Sequence, residues 1–383
     1  MELFEGSFLR ITLAARRPRV GQVASTRDIL VIGGSAGAAR MVSELLTHLP
    51  EQLPAAVFIA LHLSPLSREW LSDRLGRASA MKIACPTTEL PIERGTVYLA
   101  RPDHHLIVKE GRVLSIRGPR ENLWRPAIDV LFRTAAVAYS TRVIGLLTSG
   151  ELDDGTAGLQ AIKQCGGLAI LQEPADAEHP DMPSVALTNV EIDHQASLRD
   201  LPNLLTRLIA QEAPAPKQIP QELRKEALMA EAPEDGARIT ESFGPPSSFS
   251  CPECGGPLWT HGPEGMRMRC LVGHSFQLPS LLQGVDAGID QAIWAAIRMF
   301  EQRVNITRMM AEKERASGRD KRADLFDVRA RESQAHAQRL RELHRVRDTS
   351  YGFNEGHSAA NQDVEQQQGS QTSLHGARFE DSR

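Results

Sequence analysis

The stretch that decides the fold is residues 28–37, with the sequence DILVIGGSAG. Four consecutive apolar residues (29–32) lead into two glycines, and such a run bounded by turn residues is typical of a strand buried on both faces. Met41, Leu45 and Leu46 follow at three- and four-residue steps, which is the spacing of a helix face. The sequence therefore predicts a strand, a sharp turn and a helix in direct succession.

The same alternation of apolar strands and helices continues to about residue 211. Helices are predicted around Trp70 and Leu75, over 127–139 and after Asp154. Further strands are predicted at 56–61, 81–84, 96–99, 143–147 and 168–171, with a hairpin formed by 106–108 and 113–116. Alternating buried strands and helices indicate an α/β fold, a doubly wound and mostly parallel sheet with helices on both faces.

The rest of the chain divides into segments of different composition. Residues 212–249 are rich in Pro, Ala and Glu, and residues 250–278 are rich in Cys, Gly and His. Residues 279–347 have helical periodicity, which Ser317-Gly318 interrupts. We predict a disordered leader at 1–27, the α/β domain at 28–211, a linker at 212–249, a compact metal-binding segment of the zinc-ribbon kind at 250–278, a helical hairpin at 279–347 and a disordered tail at 348–383.

Composition excludes several classes of protein. The net charge is −4, which gives no sign of a nucleic-acid partner. No run of about 18 apolar residues is present, so no membrane insertion is expected. The five cysteines do not form the pattern of a disulfide-stapled secreted domain. We therefore expect a cytoplasmic protein.

Ser35 is the first candidate for chemistry. It is the central residue of a G-x-S-x-G motif (33–37) that follows a buried strand and precedes a helix. In that context the hydroxyl of a nucleophilic serine projects above the sheet, and amides at the helix N-terminus can receive an oxyanion. Two other interpretations stay open: a plain helix N-cap, and a dinucleotide-binding loop, although the G-x-G-x-x-G pattern is absent.

A nucleophilic serine needs a base, and the carboxyl end of the second strand supplies His62. A neighbouring parallel strand would bring Ser35 and His62 to the same edge of the sheet. A histidine at a strand end is often only structural. The other histidines within the α/β domain that could serve are His104, His105 and His179.

A third strand end carries carboxylates that could orient such a base. Asp153 and Asp154 follow the strand 143–147 and precede a helix. Both could instead be helix caps. The resulting order along the chain, serine, histidine, aspartate, differs from the serine, aspartate, histidine order of the α/β-hydrolases and argues against that family.

In these motifs the chain resembles the catalytic domain of the chemotaxis protein-glutamate methylesterases of the CheB type. The resemblance covers about residues 28–190. It rests on 32–37 (IGGSAG), His62 with Ser67, Arg74-Leu75, 95–100 (GTVYLA), 125–132 (RPAIDVLF), Leu147-Thr148, 154–158 (DGTAG) and Met182-Pro183.

The resemblance implies a Ser-His-Asp triad that hydrolyses glutamyl methyl esters on chemoreceptors and often deamidates receptor glutamines. By position it implies Ser35 as nucleophile, His62 as base and then acid, and Asp154 as the residue that orients His62. Asp154 is preferred over Asp153 because the aspartate of the family directly precedes a glycine.

Two departures from the family pattern are visible, Gly37-Ala38 after the serine turn and an altered loop at 149–152. The 27 residues ahead of the domain are too few for a receiver domain, so no gating by one in cis is expected.

A second site is predicted from Cys251, Cys254, Cys270 and His274. A C-x-x-C pair lets two thiolates reach one ion, and the later cysteine and histidine complete a Cys₃His set suited to structural Zn²⁺. His261 is an alternative ligand, and a cluster of reduced thiols is the alternative without metal. No cofactor is expected for catalysis.

Other interpretations remain open at this point. The chain could hydrolyse an ester or amide outside chemotaxis, or be a zinc-containing, helical signalling adaptor without activity. Arg267 and Arg269 could form a basic nucleic-acid surface, although a solvated face is the simpler interpretation. The helices of 279–347 could pack on each other or on a partner protein.

Overall fold

The computed structural model describes residues 25–62, 70–232, 236–262 and 267–350. Most of the predicted leader, the predicted tail from 351 onward, and Ser67 lie outside these ranges. The contacts divide the chain into two units, residues 1–284 and 285–383. At the start of the described chain, Thr26 forms a bridge with Glu212.

The strands follow the chain order β1 to β13. They are β1 (Ile29–Gly34), β2 (Ala56–Leu61), β3 (Lys82–Ala84), β4 (Leu90–Pro91), β5 (Thr96–Leu99), β6 (His105–Lys109), β7 (Arg112–Ile116), β8 (Val143–Leu147), β9 (Leu168–Gln172), β10 (His194–Ala196), β11 (Leu258–His261), β12 (Arg267–Cys270) and β13 (Ser275–Gln277).

The helices are numbered in the same way. They are α1 (Ala38–His48), α2 (Trp70–Ala78), α3 (Ile128–Tyr139), α4 (Thr156–Gln164), α5 (Asp181–Asn189), α6 (Leu201–Ile209), α7 (Gln221–Glu231), α8 (Gly236–Glu241), α9 (Leu278–Ala316) and α10 (Asp320–Ser350).

The first unit is built on a seven-stranded sheet in the order β10-β9-β8-β1-β2-β5-β3. Every pairing within it is parallel. The predicted α/β fold with a parallel sheet is therefore confirmed. The predicted hairpin exists as β6 and β7, which form a separate antiparallel sheet with β4.

The sheet is buried because its central strand is apolar on both faces. Leu30 and Ile32 of β1 belong to a core cluster that includes α1, α2 and α6. Ile29 and Val31 point the other way, into a cluster that includes α3, α4 and α5. Successive strand residues alternate between faces, so a continuous apolar run needs helices on both sides.

The range 212–249, predicted as a linker, contains the helices α7 and α8. Leu223 of α7 is 3% exposed and belongs to the same core cluster as α3 and α4. The few apolar residues of this stretch are spread among charged ones, so its composition favoured an extended linker. The helix is nevertheless held in place by this contact with the core. The short strand β10 and the helix α5 were also not predicted.

The cysteine-rich segment folds as a small antiparallel sheet, β11-β12-β13. We call residues 250–284, this sheet and the first turns of α9, the ribbon. Its core is formed by Cys251, Leu258, Met268, Cys270, Phe276 and Leu281, with Leu123 of the α/β domain packed against them. The ribbon thus lies within the first unit.

The second unit contains most of α9 and all of α10. These helices are antiparallel, because Arg308 donates to Gln334 and Arg347 donates to Asp290. Gly318, with φ 70°, lies in the turn between them, at the predicted break. Within the described parts of the chain, no helix has the length and apolar character needed to cross a bilayer.

Candidate active site

Three neighbouring strands bring the predicted polar residues together. Ser35 directly follows β1, His62 directly follows β2, and Asp154 lies in the loop between β8 and α4. β1 pairs with both other strands, and all three run parallel. The carboxyl ends of the strands therefore meet at one edge of the sheet, which is where ligands bind in open α/β folds.

The turn that carries Ser35 leaves no room for larger residues. A Cβ added to Gly34 would lie 2.3 Å from Oγ1 of Thr148. Gly37 has φ 76°, a conformation that glycine adopts readily. The amide of Ser35 donates to the carbonyl of Ser149 at 2.9 Å. These constraints hold the half-buried serine at the top of the strand.

His62 lies between the other two residues. Its Nδ1 is 3.0 Å from Oγ of Ser35, and its Nε2 is 2.7 Å from Oδ2 of Asp154. Because an ionised carboxylate can only accept, Nε2 carries the proton and the lone pair of Nδ1 faces the serine hydroxyl. The side chain of His62 is only 2% exposed. This is the geometry of a serine nucleophile, a base and an orienting carboxylate.

Trp124 covers one face of His62. The two rings are stacked with centroids 4.2 Å apart and an angle of 10° between their planes. Stacking of this kind restricts the rotation of the imidazole, which must keep both nitrogens on their partners.

Asp154 is held by donors in addition to His62. The amide of Ile128 donates to Oδ2 at 2.7 Å, and the amide of Asp129 donates to Oδ1 at 3.1 Å. Both amides belong to the first turn of α3, a position that favours an anion. Nδ2 of Asn122 donates to Oδ1 at 3.0 Å. Burial alone would raise the pKa of Asp154, but the hydrogen bonds from His62 and the other donors lower it below its ordinary value.

Two further buried carboxyl groups lie beside Asp154. Burial and the charge of Asp154 raise the pKa of Asp129, which accepts hydrogen bonds from the amides of Gly155 and Gly158. Burial raises the pKa of Asp153 to about 6, and its Oδ1 accepts a hydrogen bond from Ser280 rather than from His62. Of the two aspartates that precede Gly155, Asp154 is thus the one that contacts the histidine.

The other candidate histidines lie elsewhere. His105 is buried, and its Nε2 is 2.8 Å from the carbonyl of Pro119. Nδ1 of His104 is 3.0 Å from the carbonyl of Pro102, and His179 lies 3.4 Å from Glu151. None of these ring contacts is with Ser35, although the backbone of His179 bonds to Ser149 and Gly150 beside it.

The altered loop at 149–152 packs closely on the nucleophile. A Cβ added to Gly150 would lie 2.9 Å from Cβ of Ser35. The amide of Gly150 donates to the carbonyl of His179 at 2.9 Å, and the amide of Ser35 is also used. These two amides are therefore not available to an oxyanion. The backbone amides of Ala36 and Gly37, which follow the serine in its turn, are the next donors along the chain that could receive an oxyanion.

The second predicted site is also brought together. The ligand atoms of Cys251, Cys254, Cys270 and His274 all lie within 4.8 Å of one another. Three thiols and one imidazole in a compact cluster match the donors that tetrahedral Zn²⁺ takes. His261 is outside this cluster, 3.4 Å from Glu226. This arrangement could hold a metal ion.

The two arginines of β12 do not form an exposed basic surface. Arg267 donates to Glu226 at 2.6 Å, and Arg269 lies 3.5 Å from Glu121. Both arginines are buried. They hold the ribbon against the rest of the unit.

Sequence reasoning missed Asn122, Trp124 and Asp129 as parts of this site. Asn122 and Trp124 lie in an irregular loop with no motif of its own. Asp129 lies in the 125–132 motif that carried the resemblance, and an acidic residue among apolar ones at the start of a predicted helix is the signal that could have found it.

Comparisons with known proteins show which family the chain is similar to. The sequence model of the CheB methylesterase family matches residues 30–205. A putative protein-glutamate methylesterase/protein-glutamine glutaminase of Leptospira interrogans is 36% identical over 183 residues, which is 47% of this chain and 94% of that protein. A Pseudomonas syringae protein-glutamate methylesterase/protein-glutamine glutaminase is 32% identical over 53% of this chain and 60% of its own length.

Among solved structures, the CheB methylesterase catalytic domain of Thermotoga maritima aligns with a TM-score of 0.46 and 27% identity, over 49% of this chain and all of that domain. The relative from Leptospira is matched over nearly its whole length at 36% identity. This chain therefore belongs to the CheB methylesterase family of enzymes.

Proposed function

We propose that the chain is a serine hydrolase that removes methyl groups from glutamyl methyl esters on chemoreceptor-type proteins. The observation that carries the proposal is the hydrogen-bonded line from Ser35 through His62 to Asp154 at one edge of the sheet. The names of the relatives supply the chemical class of the substrate, a methyl ester on a glutamate of a protein.

The first half of the reaction forms an acyl-enzyme. Nδ1 of His62 takes the proton from Ser35 as Oγ bonds to the ester carbon. The negative charge that develops on the carbonyl oxygen is received by backbone amides of the turn after the serine, such as those of Ala36 and Gly37. The protonated Nδ1 then gives its proton to the departing methoxy oxygen, and methanol leaves.

The second half releases the product. His62 takes a proton from water, the hydroxide bonds to the acyl carbon, and the bond to Oγ breaks as Ser35 regains a proton. The product is a glutamate side chain. Throughout, Asp154 keeps Nε2–H as the donor and stabilises the imidazolium that forms twice in each cycle.

The same acyl-enzyme permits a second reaction. When the substrate is a glutamine side chain, ammonia takes the place of methanol as the leaving group, and water again releases glutamate. The names of both relatives include this glutaminase activity.

The first test measures methanol release from a methylated receptor fragment by wild-type protein and by the Ser35→Ala variant. We expect the variant to lose several orders of magnitude of turnover, with about 10³–10⁴ over the uncatalysed rate remaining from oxyanion contacts and binding. A fluorophosphonate probe should label Ser35 of the wild type. Unchanged methanol release by Ser35→Ala would contradict the proposal, and labelling without methanol release would indicate a different ester or amide substrate.

We further propose that the ribbon binds one structural Zn²⁺ through Cys251, Cys254, Cys270 and His274. The donor set supports this assignment, and the six-residue apolar core of the ribbon is small for a segment without a metal. Purified protein should contain about one equivalent of zinc, and Cys254→Ser should contain much less. Less than about half an equivalent in fresh wild-type protein would argue against the assignment.

The free cysteines also support a reducing, cytoplasmic location.

A further inference from the structure

The loop before α3 has an unusual backbone. Asn122 has φ 50° and Leu123 has φ 69°, so two consecutive residues other than glycine are left-handed. A residue with a Cβ is strained in this conformation, which persists only where neighbouring contacts hold it. The next residue is Trp124, which stacks on His62. What holds this loop therefore bears directly on the active site.

The ribbon supplies the contacts. The amide of Asn122 donates to the carbonyl of Ser275 at 2.7 Å, and the amide of Ser275 donates to the carbonyl of Arg120 at 3.2 Å. Leu123 packs against the apolar core around Cys251 and Cys270. The first residue of β13 and the apolar core that contains Cys251 and Cys270 thus hold the left-handed loop from one side.

The side chain of Asn122 is fixed in the same way. Its Oδ1 accepts a hydrogen bond from the amide of Gln277 at 3.1 Å. This contact orients Nδ2 towards the carboxylates, where it donates to Oδ1 of Asp154 at 3.0 Å and to Oδ2 of Asp129 at 2.8 Å. Asn122 therefore connects the ribbon to the carboxylate of the triad through one amide group.

Gln277 adds a second connection. Its Nε2 donates to the backbone carbonyl of Asp153 at 3.1 Å and lies 3.3 Å from Oδ2 of Asp129. Ser280, one turn further along, donates to the side chain of Asp153. The ribbon thus contacts both carboxyl residues beside Asp154: Asp153 through its backbone and side chain, and Asp129 through its side chain.

Buried ion pairs keep the ribbon in this position. Glu121 lies between Arg133 of α3, at 2.8 Å, and Arg269 of β12, at 3.5 Å. Glu226 of α7 accepts from Arg267 at 2.6 Å. Removing one partner of a buried pair leaves an uncompensated charge, so the ribbon cannot leave this surface without a large cost.

We propose that Asn122 and Gln277 are positioning residues for Asp154 and His62, and that the rate of the reaction therefore depends on the folded, metal-bound ribbon. The proposal rests on the proposed function. It goes beyond that function because Gln277 lies outside residues 30–205, the range that the family model matches, and still supports the triad. Loss of the metal would free His274, which directly precedes β13, and would loosen the contacts of Ser275 and Gln277 with the left-handed loop and Asn122, while the ion pairs still hold β12.

The first test uses Gln277→Met, which keeps the length of the side chain and removes its donors. Gln291→Met is the matched control, because Gln291 is exposed on α9. We expect kcat and the rate of labelling of Ser35 by the fluorophosphonate to fall by about 10- to 100-fold, with KM within about twofold of wild type. The control should match wild type. Wild-type kcat and labelling in Gln277→Met would overturn the proposal.

A pH profile separates positioning from a general loss of structure. In Gln277→Glu the new carboxyl group donates only when protonated. Its labelling rate relative to wild type should therefore rise as the pH falls, whereas the ratio for Gln277→Met should stay flat. A parallel loss at every pH in both variants would indicate structural damage and contradict a positioning role.

The metal is tested on the wild-type chain. A chelator should lower the labelling rate to that of Gln277→Met or below, and Zn²⁺ alone should restore it. Metal-free protein that is labelled at the full rate would refute the dependence on the metal. If wild-type protein with its metal is not labelled at all, the proposed hydrolase function fails instead, so the two failures are distinguishable.

Discussion

Replacing Asp154 by asparagine changes one charge and little else, which makes it the most informative substitution in the site. Oδ2 accepts from His62 and from the amide of Ile128, and Oδ1 accepts from Asn122 and from the amide of Asp129. An asparagine has one accepting oxygen and one donating nitrogen. In either orientation of the amide, two of the four donors face an NH₂ group.

The size of the loss in kcat depends on which pair of donors faces the new NH₂ group. With the oxygen towards His62, the histidine keeps its tautomer but loses the charge that stabilises imidazolium. With the nitrogen towards His62, Nε2 must become an acceptor, and Nδ1 then carries a proton and cannot take one from Ser35. Loss of the correct tautomer in a serine triad lowers kcat by about 10⁴, which corresponds to about 5.5 kcal/mol. Two unsatisfied buried donors cost about 1–3 kcal/mol each in stability.

The assay is methanol release at saturating substrate, with urea unfolding measured in parallel. Asp153→Asn is the matched control, since it makes the same change one residue away at a carboxylate that does not contact His62. We expect a loss of kcat of about 10⁴ for Asp154→Asn and of less than about tenfold for the control. Equal losses in the two variants, or a loss of less than about tenfold in Asp154→Asn, would refute the assignment of the orienting role.

Three further predictions test the surroundings of the triad. Trp124→Ala should lower kcat by about 2- to 12-fold because the stacked ring no longer restrains His62, while Trp124→Phe should retain most of the rate. Gly150→Ala should lower kcat, since its Cβ would displace the nucleophile, whereas Gly76→Ala, where the added Cβ meets nothing within 4 Å, should keep full activity in the same assay. Burial raises the pKa of Asp153 from 3.8 to about 6, so the free energy of unfolding falls by up to about 3 kcal/mol as the pH rises from about 4 to above 6. Asp153→Asn lacks this loss, and urea titrations should therefore show it more stable relative to wild type at pH 7 than at pH 4. The same difference in stability at both pH values would contradict this.

Much of the sheet could be predicted because its signals are local. Buried parallel strands are continuous apolar runs, so β1, β2, β5 and β8 were visible directly. Since the carboxyl ends of parallel strands share one edge, the approach of Ser35 and His62 followed from the same pattern. β10 was missed because its three residues, His194 to Ala196, carry no apolar run.

The support of the triad could not be predicted, because its contacts are long-range and polar. Asn122 and Gln277 are 155 residues apart along the chain. Neither belongs to a periodic pattern, and a left-handed loop at Asn122 and Leu123 has no glycine to mark it. Such contacts depend on how two folded pieces meet, which local propensity does not describe.

The buried ion pairs on Glu121 and Glu226 bear on where this protein can be cut or recombined. A truncated protein ending near residue 205, where the family match stops, would lack Glu226, one of the two carboxylates paired with Arg133. It would also expose the apolar face of α3 that Leu223 covers. Such a fragment would be expected to express poorly for reasons unrelated to chemistry. The smallest modular unit for engineering or domain exchange is therefore the stretch up to residue 284, which includes Cys251, Cys254, Cys270 and His274.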